Sequence, residues 1–445
     1  MGIFKDIITT ILSFKSYVLL PIIMLVLSII IGLKLQKAIK SSITLGIGFV
    51  GIFIVFDYFV AKVGPVLKAV IARTGIKQNV MEVGWTPFAG ISWSFKLVPL
   101  LILLILVINI ILLFLKMTNT INIDIWNYWH FIFAAQLVYY FTNNAILSCL
   151  AAIFLLVLCI KFADWSSKDV EELTGLRGIS ITTLSAQAYY SFAVFMDKLF
   201  DRIPVLRNLE ANPESIKNKL GFCGEPMSLG ILMGAVLGIA AGYPVKDILD
   251  ISITIAAVIY ILPKMTAILG EGLMPISDGM KEYMLRKFPK FKDTNIGLDS
   301  SLIIGNPAVI VTGILLMPVA LVFSFILPGI KFIPLGDLPN TIGAVVMIVV
   351  AMKGNVVRSF ITGIPVIIGT LYTSSYMAKA LTLLAKQTGY KVSGYDGLIT
   401  SFYDGGNLLR FWCVRLFSGS LWTVACIPVV AFLIYFTYKT KRSNA

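Results

Sequence analysis

Residues 97–115 read LVPLLILLILVINIILLFL, and Asn109 is the only polar side chain in this run. A helix of about 20 apolar residues is long enough to cross the hydrocarbon core of a lipid bilayer. Further apolar runs recur along almost the whole chain, and they cover 18–36, 43–60, 125–141, 144–160, 226–243, 247–268, 308–328, 341–352, 359–378 and 418–438. The sequence therefore predicts an all-α polytopic membrane protein with roughly 10–12 transmembrane helices, several of them shorter than a straight span.

The composition supports this fold class. Of 445 residues, 58% are hydrophobic and 13% are charged, whereas soluble domains carry about a quarter charged residues. The 37 Lys and Arg exceed the 23 acids, a net charge of +14 that would suggest a nucleic-acid partner in a soluble protein. Here the basic residues lie in short loops between apolar runs, where they orient membrane proteins and meet anionic lipid headgroups. We therefore expect one integral membrane domain over 1–445, no soluble domain and no nucleic acid.

The first segment, MGIFKDIITTILSFKS (1–16), places apolar side chains at helical spacing and leaves Lys5, Asp6 and Lys15 on other faces. This pattern predicts an amphipathic helix in the membrane interface. The unbroken apolar core and small-residue cleavage site of a signal peptide are missing.

Basic residues cluster in the loops 198–220 and 281–292 and again in the tail 439–442. Cytoplasmic loops of membrane proteins carry an excess of Lys and Arg. We therefore expect both loops and the C-terminus in the cytoplasm.

Three stretches interrupt the apolar pattern with Gly and Pro: Gly84–Gly90, Gly221–Pro226 and Gly297–Pro307. Broken backbone at membrane depth is tolerated only where it lines a cavity or is buried in protein. Each stretch is therefore either a re-entrant turn or half-helix beside a binding site, or a plain aqueous loop.

The sequence also excludes several kinds of chemistry. No Gly-x4-Gly-Lys-Ser/Thr phosphate loop occurs, so the chain is not expected to hydrolyse ATP. A single histidine and five cysteines without a Cys-x-x-Cys spacing argue against a metal site, a disulfide framework and hydrolase chemistry. A pore or carrier for a polar solute remains.

His130 and Asn127 are the leading candidates for contacts to that solute. They lie three residues apart at the start of an apolar segment, so they share one helix face, and an intramembrane ionisable residue is a functional hypothesis by default. A neutral imidazole can donate and accept at once, which suits a hydroxyl, and His130 could also act as a general base. Alternatively, His130 belongs to an aromatic belt and bonds a neighbouring helix.

Glu225, Asn306 and Thr86 are further candidates, each next to a proline in an interrupted stretch. A carboxylate, amide or hydroxyl there could bind a sugar hydroxyl. For Glu225 and Asn306, helix capping is an equally good interpretation, because both side chains are favourable at a helix N-terminus.

Short motifs from about residue 40 to about residue 410 together resemble the galactitol-type enzyme IIC family of bacterial phosphotransferase systems, which is similar more distantly to the ascorbate-type permeases. The matching pieces keep the family's order. They are Gly46-Ile47-Gly48-Phe49-Val50-Gly51, Val83-Gly84-Trp85, Asp124-Ile125-Trp126-Asn127 with Trp129-His130, Gly224-Glu225-Pro226, Ala241-Gly242-Tyr243, Gly297-Leu298-Asp299, Pro334-Leu335-Gly336-Asp337-Leu338 and Gly405-Gly406.

The resemblance implies a homodimer in the bacterial inner (plasma) membrane, with a core domain that holds an alditol or related sugar and a second domain that forms the dimer interface. The core would move to expose the sugar to each side in turn. A separate cytoplasmic enzyme IIB, phosphorylated on its own cysteine within the same system as enzyme IIA, would dock on the inner face and phosphorylate the sugar. The implied partners are these enzymes and the lipid bilayer, and no cofactor is implied.

The chain departs from that family at two places. Where galactitol-type members tend to carry an Ile-Pro-His stretch, this chain reads Ile181-Thr182-Thr183-Leu184, and Gly305-Asn306 stands where a relative motif has Gly-His. The expected substrate is therefore galactitol or another pentitol, hexitol or related sugar.

Two other function classes are open at the level of sequence. A secondary active transporter could couple solute entry to H+ or Na+ through intramembrane acids such as Asp57 and Glu225. A non-transporting membrane scaffold would not need polar residues beside Gly and Pro breaks.

Overall fold

The computed structural model describes residues 16–74, 79–207, 211, 213–214, 225–287, 294–334, 336–389 and 397–442. The predicted interfacial helix over 1–16 lies almost entirely outside them. The helices are α1 (Ser16–Ile30), α2 (Leu35–Thr74), α3 (Thr86–Trp93), α4 (Val98–Phe114), α5 (Trp129–Thr142), α6 (Ala145–Thr174), α7 (Leu184–Gln187), α8 (Tyr190–Phe200), α9 (Pro204–Arg207), α10 (Pro226–Ala241), α11 (Val245–Lys287), α12 (Ser301–Ile304), α13 (Pro307–Ile326), α14 (Thr341–Ala344), α15 (Val346–Ala351), α16 (Val356–Gln387), α17 (Leu408–Phe417), α18 (Leu421–Ala425) and α19 (Ile427–Arg442).

Several helices are long and apolar enough to cross a membrane. Among the described residues, α6, α13, α16 and the segment Leu421–Lys441 meet this condition, and α3 with α4 forms a further candidate bent by 94° at its break. The prediction of an all-α polytopic membrane protein is thereby confirmed. The number of 10–12 spans stays a prediction.

Turns fall inside some apolar runs that the sequence suggested were continuous. The run 18–36 contains the end of α1 at Ile30 and a turn at Gly32, whose φ of +84° favours glycine. The run 341–352 is divided between α14 and α15. Hydropathy marks membrane depth but does not locate turns.

Within the described residues, five short parallel strands interrupt the helices: β1 (Val80–Glu82), β2 (Thr120–Asn122), β3 (Ile179–Ile181), β4 (Asn295–Leu298) and β5 (Leu398–Thr400). β1 pairs with β5, and β4 lies between β2 and β3 in a second small sheet. Hydropathy gave no sign of these strands, because three or four residues are too few for a periodic pattern.

The register of the three-stranded sheet places Gly297 of β4 opposite Asn122 of β2 and Ser180 of β3. Only glycine fits there, because a Cβ on Gly297 would lie 2.5 Å from Thr182 Cγ2. Packing between the strands therefore requires the glycine of the Gly297-Leu298-Asp299 motif.

Polar side chains of neighbouring helices complete the hydrogen bonds of β2, an edge strand. Asn109 of α4 donates to the carbonyl of Thr120 at 2.9 Å and accepts from the N–H of Asn122 at 2.8 Å. Asp164 of α6 accepts from the N–H of Asn119 and from the Thr120 hydroxyl, at 3.0 and 2.8 Å. Asn109, the only polar residue of the run 97–115, thus makes the hydrogen bonds that water would make to an exposed strand edge.

The outer edge of β5 is satisfied in the same way by α16. The hydroxyl of Thr382 accepts from the N–H of Ile399 at 2.8 Å, and Ser374 donates to the carbonyl of Ser401 at 2.7 Å. A helix from outside each sheet therefore replaces a missing strand.

Helices α2, α10 and α11 form a tightly packed group with glycines at their contacts. A Cβ on Gly234 of α10 would lie 2.4 Å from Ser252 Cα, and a Cβ on Gly272 of α11 would lie 2.4 Å from the Leu45 nitrogen. Small residues let membrane helices approach closely. This group is hereafter the helical arm.

Replacing Asn109 with leucine should lower the stability of the fold. The substitution preserves size but leaves the N–H of Asn122 and the carbonyl of Thr120 without their partner, at a cost of about 1–3 kcal/mol for each unsatisfied group. The melting temperature of the detergent-solubilised protein, measured by size-exclusion chromatography after heating, should fall.

The neighbouring Ile110 is 46% exposed on the outer face of the same helix, so Ile110→Leu serves as the control and should leave the melting temperature unchanged. If both variants melt like the parent, Asn109 does not support β2.

Candidate functional site

A cavity of about 340 Å³ lies where the strands of both sheets end. The helical arm contributes one wall through Phe49 and Ile52. Most of its polar lining comes from the segments that follow the strands, namely Thr86, Asp124, Asn127, His130, Thr183, Ser185, Asp299, Ser300, Ser301 and Asp404, and Asn340 adds a further amide.

The three-stranded sheet brings three of these segments together. Asp124, Thr183 and Asp299 each follow the last residue of a strand by one or two positions. Because parallel strands end at the same edge of a sheet, these side chains converge. The arrangement resembles open α/β proteins only in that ligands there also bind at the carboxyl ends of strands.

Asn127 joins two of the carboxylates. Its amide nitrogen donates to Asp124 Oδ2 at 2.6 Å and also to Asp299 Oδ2. Asp124 begins the 3₁₀ turn Ile125–Tyr128, and its side chain accepts from the Asn127 N–H as well. An amide has two N–H donors, so the bridge uses both of them and holds two acids at one end of the cavity.

Thr183 holds the next segment in register. Its hydroxyl accepts from the N–H of Ser300 at 2.9 Å and contacts Asp299 Oδ2 at 3.3 Å. The other oxygen of Asp299 accepts from the N–H of Ser301 at 2.6 Å. The Ser301 hydroxyl is buried at the cavity without a partner among the described residues.

Glu82 organises the two-stranded sheet. It is buried at the end of β1, and its carboxylate accepts backbone N–H groups from three segments: Gly84 at 2.8 Å, Asp337 at 2.9 Å and Phe402 at 3.2 Å. A single side chain thus ties the interrupted stretch after β1 to the segment after β5.

Asp337 reinforces the same junction. Its carboxylate accepts from the N–H of Trp85 at 2.9 Å, the hydroxyl of Ser401 at 2.6 Å and the N–H of Tyr403 at 3.4 Å. Trp85 and Tyr403 both line the cavity, so this cluster fixes the backbone of two of its walls.

His130, Asp404 and Arg410 form a buried group beside the cavity. Arg410 Nη2 lies 2.8 Å from His130 Nδ1 and 3.1 Å from Asp404 Oδ1, and its Nη1 donates to the Asp404 carbonyl at 2.6 Å. The second ring nitrogen of His130, Nε2, lies 3.4 Å from the hydroxyl of Ser185.

The turn that carries Asp404 has little room. A Cβ on Gly405 would lie 2.4 Å from the Ser401 carbonyl oxygen, and one on Gly406 would lie 2.4 Å from the Thr370 carbonyl oxygen. The paired glycines therefore allow Asp404 to reach both Arg410 and the cavity.

Tryptophan rings add to the apolar part of the lining. Trp85 and Trp129 stack with their ring centroids 5.9 Å apart, and the ring of His130 lies against Trp129 at 4.0 Å. Trp126 also faces the cavity. Such rings offer flat apolar surfaces to the C–H face of a ligand whose other side is polar.

The structure brings together three of the five residues that the sequence suggested. Thr86, Asn127 and His130 line the cavity. Asn306 caps α13 by accepting from the N–H of Ala308 at 2.9 Å, and Glu225 precedes Pro226 at the start of α10. Neither of these two is among the described residues that line the cavity, and a substrate contact for them stays a prediction.

Two of the three stretches that Gly and Pro interrupt contribute to the cavity. Gly84–Gly90 and Gly297–Pro307 both contribute lining residues and contain short helices, as a half-helix would. In the third stretch, residues 221–224 lie outside the described part of the chain.

Sequence reasoning missed Asp404 and Arg410. A signal was present, since Arg410 is an arginine within the otherwise apolar run Leu408–Val414, and an ionisable residue at membrane depth is a functional candidate. Asp299 was part of a quoted motif, but its contact with Asn127 depends on pairing between distant strands.

The site can accept hydrogen bonds more readily than it can bind an anion. Three carboxylates face the cavity, and the guanidinium beside it is engaged by Asp404. Among the described residues, no group of three His, Cys, Asp or Glu is arranged to hold a metal ion.

Comparison with known proteins finds relatives that match most of this chain. The family model of the sugar-specific permease component of the phosphotransferase system, of the EIIC-GAT type, matches residues 10–396. A putative permease IIC component of Escherichia coli strain K12 is 33% identical over 435 residues, which cover 98% of this chain and 99% of that protein.

Two further relatives are galactitol-specific EIIC components of the phosphotransferase system, from Escherichia coli strain K12 and from Escherichia coli O157:H7. Each is 30% identical over 416 residues, which cover 93% of this chain and 91% of the relative. These matches confirm the resemblance noted in the sequence and give no support to the symporter hypothesis. The chain therefore belongs to the EIIC-GAT family and is a membrane-embedded sugar permease subunit of a phosphotransferase system.

Proposed function

We propose that the permease binds a neutral alditol, or a closely related sugar, in the cavity at the strand ends, and that a separate enzyme IIB phosphorylates it. The observation that carries this proposal is the chemistry of the lining. Carboxylates, amides, hydroxyls and tryptophan rings together line a cavity of about 340 Å³, near the lower end of the roughly 300–1,000 Å³ that small-molecule sites span.

The charge of the lining favours a neutral ligand. Asp124 and Asp299 have the amide of Asn127 as their shared donor, and Arg410 is engaged by Asp404. A sugar acid would bring a further carboxylate toward these acids without an unengaged cation among the lining residues to receive it. The hydroxyls of an alditol can donate to the same oxygens.

The identity of the alditol depends in part on Thr183. Two relatives are named as galactitol-specific, but this chain carries threonine where the resembling family tends to carry histidine. The Thr183 hydroxyl accepts from Ser300 and touches Asp299, so it acts on the shape of the lining rather than reaching across the cavity. We propose a pentitol or hexitol whose pattern of hydroxyls matches the part of the lining around Thr183.

We propose a single enzyme IIC unit over 1–445 with two parts. The segments around the cavity would form the core that holds the sugar, and the helical arm would belong to the part that forms a homodimer. Exposed apolar residues on the arm support this division, among them Ile47, Ile54, Val236 and Ile253. The core would move against the arm to open the cavity to each side in turn.

The proposed orientation rests on two lysines that lie near one end of α6. Helix α6 has 30 residues and is therefore about 45 Å long, so its two ends lie on opposite faces of a bilayer. Near its C-terminal end, Lys441 of α19 contacts Asp169 at 2.5 Å, and Lys353 contacts Glu172 at 2.9 Å. We propose that this end is cytoplasmic, together with the C-terminus, and that enzyme IIB and enzyme IIA act there.

His130→Leu should weaken sugar binding by about tenfold or more, because a ligand hydroxyl would lose its partner at a cost of about 1–3 kcal/mol. Equilibrium binding of radiolabelled alditols to purified protein measures the effect. Parent protein should bind at least one neutral alditol and should not bind sugar acids of the same length.

Gln136→Leu is the matched control. Gln136 lies on the same helix and donates to the Ile91 carbonyl at 3.2 Å, away from the cavity. Its replacement should affect stability but leave the affinity of the folded protein unchanged. If the His130→Leu protein folds and binds alditol like the parent, His130 has no contact with the sugar.

Single cysteines at Ala145 and Arg202, in a background without native cysteines, test the orientation. Ala145 is the first residue of α6. Arg202 follows α8, and Asp197 of α8 pairs with Arg358, which lies toward the C-terminal end of α6. An impermeant thiol reagent should label the cysteine at position 145 in intact cells and the one at position 202 only after permeabilisation. The reverse pattern would contradict the orientation.

A further inference from the structure

The contact between Arg410 and His130 has a chemical consequence for the site. Arg410 is buried in α17, with its side chain 2% exposed, and its guanidinium lies over the ring of Phe133 at 5.1 Å. Its position is therefore fixed by packing as well as by hydrogen bonds. The side chain of Asn407 caps the same helix by accepting from the Arg410 N–H at 2.9 Å.

A guanidinium has five N–H donors and no acceptor, and it stays protonated in proteins. Arg410 Nη2 lies 2.8 Å from His130 Nδ1, so at this distance Nδ1 must be the acceptor. A proton on Nδ1 would point toward Arg410 Nη2, which is itself a donor and cannot accept it. The longer contact of 3.3 Å between Nδ1 and Asp404 Oδ1 follows because both atoms accept from the same nitrogen of Arg410.

The other ring nitrogen then carries the proton. In a neutral imidazole, the hydrogen bond made by one nitrogen decides which form the other takes. His130 Nε2 lies 3.4 Å from the Ser185 hydroxyl, and both side chains line the cavity.

We infer that Arg410 is a positioning residue that holds His130 as its Nε2–H tautomer, so that the imidazole presents a hydrogen-bond donor to the cavity. The assignment of the tautomer stands on geometry alone, whereas its role toward a sugar rests on the proposed function. It departs from the sequence hypothesis that His130 is the general base.

If His130 is a donor, another group must take the hydroxyl proton during phosphoryl transfer to the sugar. The attacking sugar oxygen forms a bond to phosphorus while the bond from phosphorus to the cysteine sulfur of enzyme IIB breaks, and the thiolate leaves. The hydroxyl proton goes to a carboxylate of the lining, where Asp124, Asp299 and Asp404 are available. His130 donates to a sugar oxygen and keeps its proton.

The single histidine makes the tautomer directly measurable. Protein labelled with ¹⁵N-histidine and reconstituted without sugar should give one imidazole spectrum at about pH 8, where an ordinary imidazole is neutral. We expect Nε2 in the protonated range and Nδ1 in the unprotonated range. The opposite assignment in the parent protein would overturn the inference, whatever the substrate proves to be.

Variants identify Arg410 as the cause. In Arg410→Met, Nδ1 loses its donor and can itself donate to Asp404, so the two ¹⁵N resonances should exchange ranges. Arg410→Lys retains a donor and should restore the parental pattern in whole or part. Arg415→Met is the control, since Arg415 lies on the same helix over Phe141 and Tyr376, and it should leave the tautomer unchanged. An Arg410→Met protein that folds and keeps the parental pattern would contradict the role of Arg410.

His130→Gln separates donation from proton abstraction. Glutamine keeps an N–H donor at similar reach but is not a base, so sugar phosphorylation should stay within about tenfold of the parent, whereas loss of a general base slows a reaction by about a hundredfold or more. A hundredfold loss with retained binding would refute the donor role. Absence of sugar phosphorylation in the parent would instead count against the proposed function and leave the ¹⁵N result standing.

Discussion

The structure depends on one constraint, which is that backbone N–H and C=O groups buried among apolar helices have no water to bind. Five short strands interrupt the helices in the part of the chain that the structure describes, and each exposes such groups. Pairing within two small parallel sheets satisfies some of them. Side chains of Asn109, Thr382 and Ser374, on helices beside the sheets, satisfy edges that would otherwise remain open.

This constraint also explains where the site forms. Parallel strands end together, so the segments after β2, β3 and β4 bring an aspartate, a threonine and another aspartate to one place. Glu82 and Asp337 use their carboxylates on backbone donors and hold the segments after β1 and β5 beside them. The polar lining is thus a direct product of the breaks that the membrane would otherwise penalise.

Much of the fold class could be predicted, because a soluble protein has little use for repeated apolar runs of membrane length. The prediction extended to Thr86, which lies next to Pro87, and to Asn127 and His130, which lie three residues apart at the start of an apolar segment. The strands could not be found, since three or four residues are too few to show a hydropathy period. Arg410 was missed because its partner His130 lies 280 positions away in sequence, and only the fold brings them together.

We propose that this cavity passes an alditol to a phosphoryl donor, so that the phosphoryl group and not an ion gradient drives accumulation. The most direct test uses right-side-out membrane vesicles loaded with phosphoenolpyruvate and the soluble phosphotransfer proteins, and it follows the chemical form of a labelled alditol inside them. On this proposal the alditol accumulates as its phosphate, and an uncoupler leaves this initial accumulation largely intact. Accumulation of unphosphorylated alditol that an uncoupler abolishes would contradict it.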